Sequence, residues 1–173
     1  MNPLFPIAVI ALVQVGPSQP PGEIVGQISA ELVSIKGLSI GSTKSQVISA
    51  LGKSAKSRRG YDSEMGMGHW QEMYFPGLVV EVTKPDPDQA TTVWKEPRVW
   101  RMVIKGKSWR TKCGLRVGQT REQALAVLGQ PASEDPKGAA TVLHYFPKVF
   151  DGFLWVEIQN GLITEIGVSE DWT

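Results

Sequence analysis

Few side chains in this sequence could make or break a covalent bond. The single cysteine, Cys113, would need a base beside it to act as a nucleophile, and only His69 and His144 are available. His144 stands one residue before a repeated Tyr-Phe-Pro and reads as a strand position, so an inert thiol is expected. Gly52-Lys53-Ser54 and Gly106-Lys107-Ser108 look like the ends of phosphate loops. The earlier glycine such a loop requires is Val47 in one and Arg101 in the other. Gly66-Met67-Gly68 lacks the third glycine of a dinucleotide fingerprint, because Gln71 stands there. Neither His-Glu-x-x-His nor Gly-x-Ser-x-Gly occurs. One cysteine also excludes an internal disulfide and a four-cysteine metal site. Met65, Met67 and His69 could offer soft ligands, although Met-Gly alternation is explained by a loop alone. The expectation is a protein that is not an enzyme, with no catalytic residue, metal or cofactor.

What remains is the chemistry of recognition, and its placement depends on a duplication. Gly37 to Ser54 (GLSIGSTKSQVISALGKS) recurs 77 positions later as Gly114 to Pro131 (GLRVGQTREQALAVLGQP), with 7 of 18 positions identical. Each copy predicts one short helix. Thr43 or Thr120 is its N-cap, and Gln46 or Gln123 closes a capping box three residues on. Val47, Ile48 and Leu51, matched by Ala124, Leu125 and Leu128, form the apolar face. Gly52 and Gly129 stand where a left-handed C-terminal cap is wanted.

Strand patterns follow each helix. Tyr74-Phe75-Pro76 is echoed by Tyr145-Phe146-Pro147. Then come GLVVEV (Gly77 to Val82) and GFLWVEI (Gly152 to Ile158), with Glu81 aligned to Glu157. RVWRMVI (Arg98 to Ile104) and LITEIGV (Leu162 to Val168) complete the copies, and Asn160-Gly161 signals a two-residue hairpin. The matching connection in the first copy, Thr83 to Pro97, is long enough to suggest function or mobility.

Alternation assigns Leu78, Val80, Val82, Leu154, Val156 and Ile158 to the helix-covered side, joined by Trp100, Met102, Ile104, Ile166 and Val168. Val79, Glu81, Val99, Arg101, Val103, Trp155, Glu157, Ile163 and Glu165 fall on the open side. That mixture of aromatic, apolar and charged groups suits a partner-binding face. It equally suits a solvated sheet with cross-strand pairs such as Glu81 with Arg101. The candidate contact residues are Trp155, Arg101, Tyr74, Tyr145, Glu81 and Glu157, with Trp94 on the long loop. Tyr74 and Tyr145 could instead be core residues with hydroxyls at the rim.

At 173 residues, 42% hydrophobic and 20% charged, the chain can bury a proper core. Two modules of about 70 residues would be marginal alone, so they should pack together or share a sheet. The net charge of +1 hides an asymmetry. Residues 1–129 carry 16 cations against 10 acids, and residues 130–173 carry 2 against 7. Basic clusters occur at Lys53, Lys56, Arg58 and Arg59, and at Lys105, Lys107, Arg110, Lys112 and Arg116. They form either a solvated face or a contact for anionic lipid or an acidic partner. The balance falls short of a nucleic-acid binder's footprint. Residues 1–22 carry no charged side chain, and Leu4 to Val15 is an apolar run followed by a Pro-rich stretch. The run is too short to span a bilayer and resembles the core of a secretory signal, implying a periplasmic or secreted protein, with a cytoplasmic one as the alternative.

The pattern Ile/Val-Gly-x-Thr-x-x-Gln-x-x-x-x-Leu-Gly, at Ile40 to Gly52 and Val117 to Gly129, resembles the signature of the SmpA/OmlA superfamily of small bacterial envelope domains. Ser42 and Gln119 stand where that signature usually has Met. In tandem it is similar to β-lactamase inhibitor protein. The resemblance implies an α+β fold of two repeats, each a short helical segment on an antiparallel sheet, and action by binding proteins. The expected division is a signal and linker at 1–22, a first repeat at 23–106 and a second at 107–173. The function expected is a protein-binding module of the bacterial envelope, with two alternatives: inhibition of a secreted or periplasmic enzyme, or a structural part in outer-membrane assembly or maintenance. Membrane contact would be at most peripheral.

Overall fold

The computed structural model describes residues 25–62, 68–85, 94–148 and 151–171. The signal-like segment 1–22, Met65, Met67 and residues 86–93 of the long connection lie outside them.

Both helices form where the capping boxes place them, α1 at Lys44–Leu51 and α2 at Arg121–Leu128. The Gln46 amide N–H donates to Thr43 Oγ1 at 3.2 Å and Gln46 Oε1 accepts from the Thr43 N–H at 2.7 Å. The Thr120–Gln123 pair repeats this at 3.3 and 2.9 Å. Two orphan amides per helix are thus satisfied by two side chains. Gly52 and Gly129 end the helices at φ 79°, ψ −166° and φ 78°, ψ −164°. The positive φ demands glycine, but the extended ψ differs from the left-handed cap expected and turns the chain directly into the next strand. The buried stripe is narrower than expected: Val47, Ala124 and Leu128 are buried, Leu51 and Leu125 are half-buried, and Ile48 is 45% exposed. In a helix of two turns, i and i+4 share a face, so Val47 with Leu51 reaches the sheet and Ile48 turns past its edge.

Nine strands make one mixed sheet: β1 (Gln27–Ile28), β2 (Lys56–Asp62), β3 (Gly68–Phe75), β4 (Leu78–Lys84), β5 (Arg98–Ile104), β6 (Ser133–Lys137), β7 (Ala140–Pro147), β8 (Gly152–Gln159) and β9 (Leu162–Glu170). The order is β1-β7-β8-β9-β5-β4-β3-β2, with β6 also on β7, and only the β1–β7 pair is parallel. The fold is therefore α+β. β5 and β9 meet antiparallel, Val103 opposite Gly167, and join the meander β2–β5 to the meander β6–β9. Asn160 and Gly161, at φ 51° and 75°, make the expected β8–β9 turn.

Several hydrogen bonds recur around the two helices. Gly41 N bonds Val99 O and Val99 N bonds Ser42 O; Gly118 N bonds Ile163 O and Ile163 N bonds Gln119 O, all at 2.8 Å. A β-bulge also recurs. Glu81 faces Arg101 while Val82 faces Val99, so Trp100 is the extra residue; Glu157 faces Glu165 while Ile158 faces Ile163, so Thr164 is extra. Two assignments from simple alternation change as a result. Val99 and Ile163 lie in the core rather than on the open face, and Trp100 leaves the core stripe for a half-buried position. Its Nε1 has no hydrogen-bond partner among the described residues.

The Tyr-Phe-Pro echo is out of register by one residue. Tyr74 pairs with Val79 on the open face and Phe75 points to the core. Tyr145 pairs with buried Leu154, and Phe146 faces outward. The turn after β3 is the tight Pro76-Gly77, whereas residues 148–151 separate β7 from β8, and a one-residue slip exchanges the faces of a strand.

Among the described residues no helix is long and apolar enough to cross a membrane. Replacing Thr43 or Thr120 by Ala should each lower the unfolding free energy by about 1 kcal/mol. Urea titration of the two variants checks this, and additivity in the double variant checks that the caps act independently.

Candidate partner-binding face

Side chains on the face away from the helices line up in rows set by strand register. One row runs Lys56, Tyr74, Val79, Val103, Gly167, Trp155, His144, Ser133. A second runs Arg58, Glu72, Glu81, Arg101, Ser169, Phe153. Both cross the β5–β9 junction.

Arg101 is the hub. Its Nη1 donates to Glu81 Oε1 at 2.6 Å, and its guanidinium lies 5.5 Å from the centre of the Trp155 ring. Trp155 reaches this position because its indole lies flat on Gly167, where any Cβ would collide with the ring. Trp155 Nε1 donates to Glu165 Oε1 at 2.7 Å, and Glu165 Oε2 pairs with Lys105 at 3.0 Å. Burial pushes the Glu81 carboxyl above its ordinary range, and the Arg101 charge offsets this only in part. Burial also acts upward on Glu165, but its hydrogen bonds from Trp155 and Lys105 outweigh it and hold the carboxyl low. The row thus holds desolvated charges in fixed directions.

Toward β2, Tyr74 donates to Glu72 Oε2 at 2.6 Å, Arg58 pairs with Glu72 at 3.4 Å, and Lys56 stands 5.9 Å over the Tyr74 ring. Toward β6, Phe146 and Phe153 are 44% and 40% exposed and meet at 5.9 Å between ring centres. With Trp155, His144, Asp135 and Ser169 they line a groove of about 450 Å³. His144 Nε2 is 3.1 Å from Asp135 Oδ2.

Of the residues named from sequence, Trp155, Arg101 and Glu81 come together directly, and Tyr74 lies on the same face beside them. Glu157 is on this face next to Glu165, accepting from Lys137 at 2.7 Å and from Thr164 Oγ1 at 3.2 Å. Trp94 stacks with Arg98 at 5.3 Å, at the start of β5 and three residues before Arg101. Tyr145 does not belong to the face: it is fully buried and its hydroxyl donates to Gly129 O at 3.2 Å. Phe153 was legible, since it stands two residues before Trp155 on the same strand. Phe146 was hidden by the Tyr-Phe-Pro echo, and Gly167 carries no signal until the indole above it is seen.

Cys113 Sγ lies 3.1 Å from Thr111 Oγ1, while His69 stacks against Tyr61 at 5.0 Å and His144 pairs with Asp135. The described residues contain no cluster of three His, Cys, Asp or Glu that could hold a metal ion.

No family model matches the chain, and no curated protein matches it. Among solved structures it is similar to a DUF4309 family protein, YjgB, from Bacillus subtilis, at 15% identity and TM-score 0.41, over 79% of this chain and 84% of that one. It is also similar to an extracellular protein containing a SCP domain from Bacillus anthracis, at 9% identity and TM-score 0.44, over 91% of this chain and 50% of that one. This chain thus spans half the length of the second. At such low similarity the functional reading rests on the chain's own residues.

Gly167→Ala should displace the Trp155 indole and break its bond to Glu165, costing about 1–3 kcal/mol of stability and shifting tryptophan emission. Fluorescence-monitored urea unfolding reads both. Burial pushes the Tyr145 phenol from 10.0 up to about 12. Its neutral form is favoured in the folded protein, so this contribution is complete below pH 10 and lost as pH rises toward 12. Tyr145→Phe should remove that alkaline component of the stability curve and the phenol absorbance step near 12.

Proposed function

We propose that this chain is a non-enzymatic protein-binding module of the bacterial cell envelope, built from two copies of one SmpA/OmlA-like unit joined through β5 and β9. The partner surface is the open face centred on Arg101 and Trp155. The observation that carries the reading is the Arg101–Trp155 contact itself, an arginine and a tryptophan held rigidly by Glu81, Glu165 and Gly167 beside two exposed phenylalanines. Trp and Arg are the side chains that most often dominate binding energy, and they do so where neighbouring groups exclude water. The charges beside them are already paired, so a partner meets less loss of hydration than it would over free ions. A standard interface needs about 800 Å² on each side, which a face crossing eight strands provides. Export is supported by the apolar run Leu4 to Val15.

The test is capture from an envelope extract, comparing the native chain with Trp155→Ala/Arg101→Ala and with Tyr145→Phe as a core control. A partner retained by the native chain and the control should bind the double variant about 30-fold more weakly, as expected for loss of about 2 kcal/mol at a hot spot. The same proteins captured by all three baits would sink this placement of the site. Loss of a captured enzyme's activity would make the module an inhibitor.

A further inference from the structure

A second site lies away from the open face, where the segments entering the two repeated motifs meet. Lys112 N bonds Ser34 O at 2.8 Å and Cys113 N bonds Leu32 O at 3.1 Å, tying residues 32–34 to residues 112–113. Beside this seam is a cleft of about 490 Å³ lined by Glu31, Ser34, Lys36, Gly37, Arg110 and Lys112, among others. Three cations there face one carboxylate.

The cleft's parts are held in place by other contacts. Ile35 and Leu38 close a tight turn through two 2.9 Å backbone bonds, with Lys36 at φ 49° and Gly37 at φ 79°. Positive φ at both central residues is what a two-residue turn of the primed type requires, as at Asn160 and Gly161. The Lys36 and Gly37 N–H groups are outside the turn's own hydrogen bonds, and both residues line the cleft. Consecutive N–H groups left outside a turn's own bonds can serve as anion donors. The Lys36 ammonium lies 5.5 Å over the Trp109 ring, and Trp109 Nε1 is anchored to Pro76 O at 2.7 Å. Lys112 Nζ is held by Glu31 Oε2 at 2.6 Å. Arg110 is exposed and makes no ion pair or hydrogen bond among the described residues.

We propose that this cleft binds a phosphate group, with Arg110 as the forked donor, Lys36 and the Lys36–Gly37 amides as its opposite wall, and Glu31 as the internal anion that holds Lys112 until ligand arrives. A tetrahedral oxyanion matches this set: a guanidinium pairs two oxygens at once, and amide N–H groups and an ammonium take the others. The same chemistry is carried by a phospholipid headgroup and by a soluble phosphate.

The test is amide-resolved NMR titration of the full chain with inorganic phosphate at constant ionic strength, which holds general screening fixed. Saturable shifts confined to Lys36, Gly37, Ser39 and Arg110 are expected. Lys36→Ala/Arg110→Ala should weaken binding at least about tenfold. Glu31→Gln should strengthen it several-fold by removing the competing carboxylate, a gain that a misfolded variant could not produce. Shifts spread over all basic residues without saturation, or no gain from Glu31→Gln, would overturn the proposal. Co-sedimentation with phosphatidylcholine vesicles, with and without phosphatidylglycerol, separates the sources. Pelleting that requires phosphatidylglycerol and is lost in the double variant assigns a lipid headgroup; phosphate saturation without it assigns a soluble ligand.

Discussion

The pairing of β5 with β9, Val103 opposite Gly167, is the contact on which the other features depend. Each side of that junction has one eight-residue helix and a short meander, too little apolar surface to offset the entropy of ordering its chain. Edge-to-edge union gives both halves one core, in which Met102 and Ile104 of β5 meet Val168 and Ile166 of β9. It also removes two exposed strand edges at the centre and leaves only the outer ones. Those outer strands, β2 and β6, carry Lys56, Arg58, Arg59, Glu134, Asp135 and Pro136, residue types that discourage further pairing.

The junction then sets the chemistry of the open face. Gly167 is the one position in its row where a flat ring can lie on the backbone, and Trp155 occupies it from β8. Arg101, two residues before Val103 on β5, reaches that ring from the other half of the chain. The hub of the candidate site therefore has one member from each meander and cannot form in either alone. A cation over an aromatic face is worth most when water is partly excluded, and Glu81 at 2.6 Å keeps the guanidinium directed while it is half-covered.

Much of this was legible because local chemistry dictated it. Thr-x-x-Gln fixes a helix start through two hydrogen bonds, and Asn-Gly fixes a hairpin through two positive φ angles, so neither needs tertiary context. Period-two alternation placed Leu78, Val80, Leu154 and Val156 correctly because those strands are regular there. It failed at Val99, Trp100 and Ile163 because a bulge adds one residue opposite its partner, which no alternation within a single strand can reveal. Tyr145 failed for a related reason. The same tripeptide sits one register place apart in the two hairpins, Tyr74 opposite Val79 but Tyr145 opposite Leu154, the counterpart of Leu78, and the repeated letters do not carry that offset. Of the candidate site, Arg101, Glu81 and Trp155 were readable as neighbours on one face, whereas the glycine platform required the packed structure.

The two halves also divide their residues by role. Positions that shape the backbone match: the caps, the helix-ending glycines, the bulges and the bonds from Gly41 and Gly118. On the open face Glu81 and Glu157 match, while Glu72 stands against Val142, Tyr74 against His144, Val79 against Trp155 and Arg101 against Glu165 at corresponding places in the register. A symmetric dimer would be bound to present the same patch twice, since its two subunits share one sequence. A chain that carries both halves escapes that constraint. One end of its face is a polar array in which Glu72 accepts from Tyr74 and pairs with Arg58 while Lys56 lies over the Tyr74 ring, and the other is an aromatic groove at Phe146, Phe153 and Trp155. Such a face has a direction, and under the proposed binding reading a partner seated on it in reverse would set its apolar contacts against paired charges at a cost of desolvation. The matching positions thus serve the stability of the backbone, while on the proposed binding reading the differing outward side chains would supply orientation.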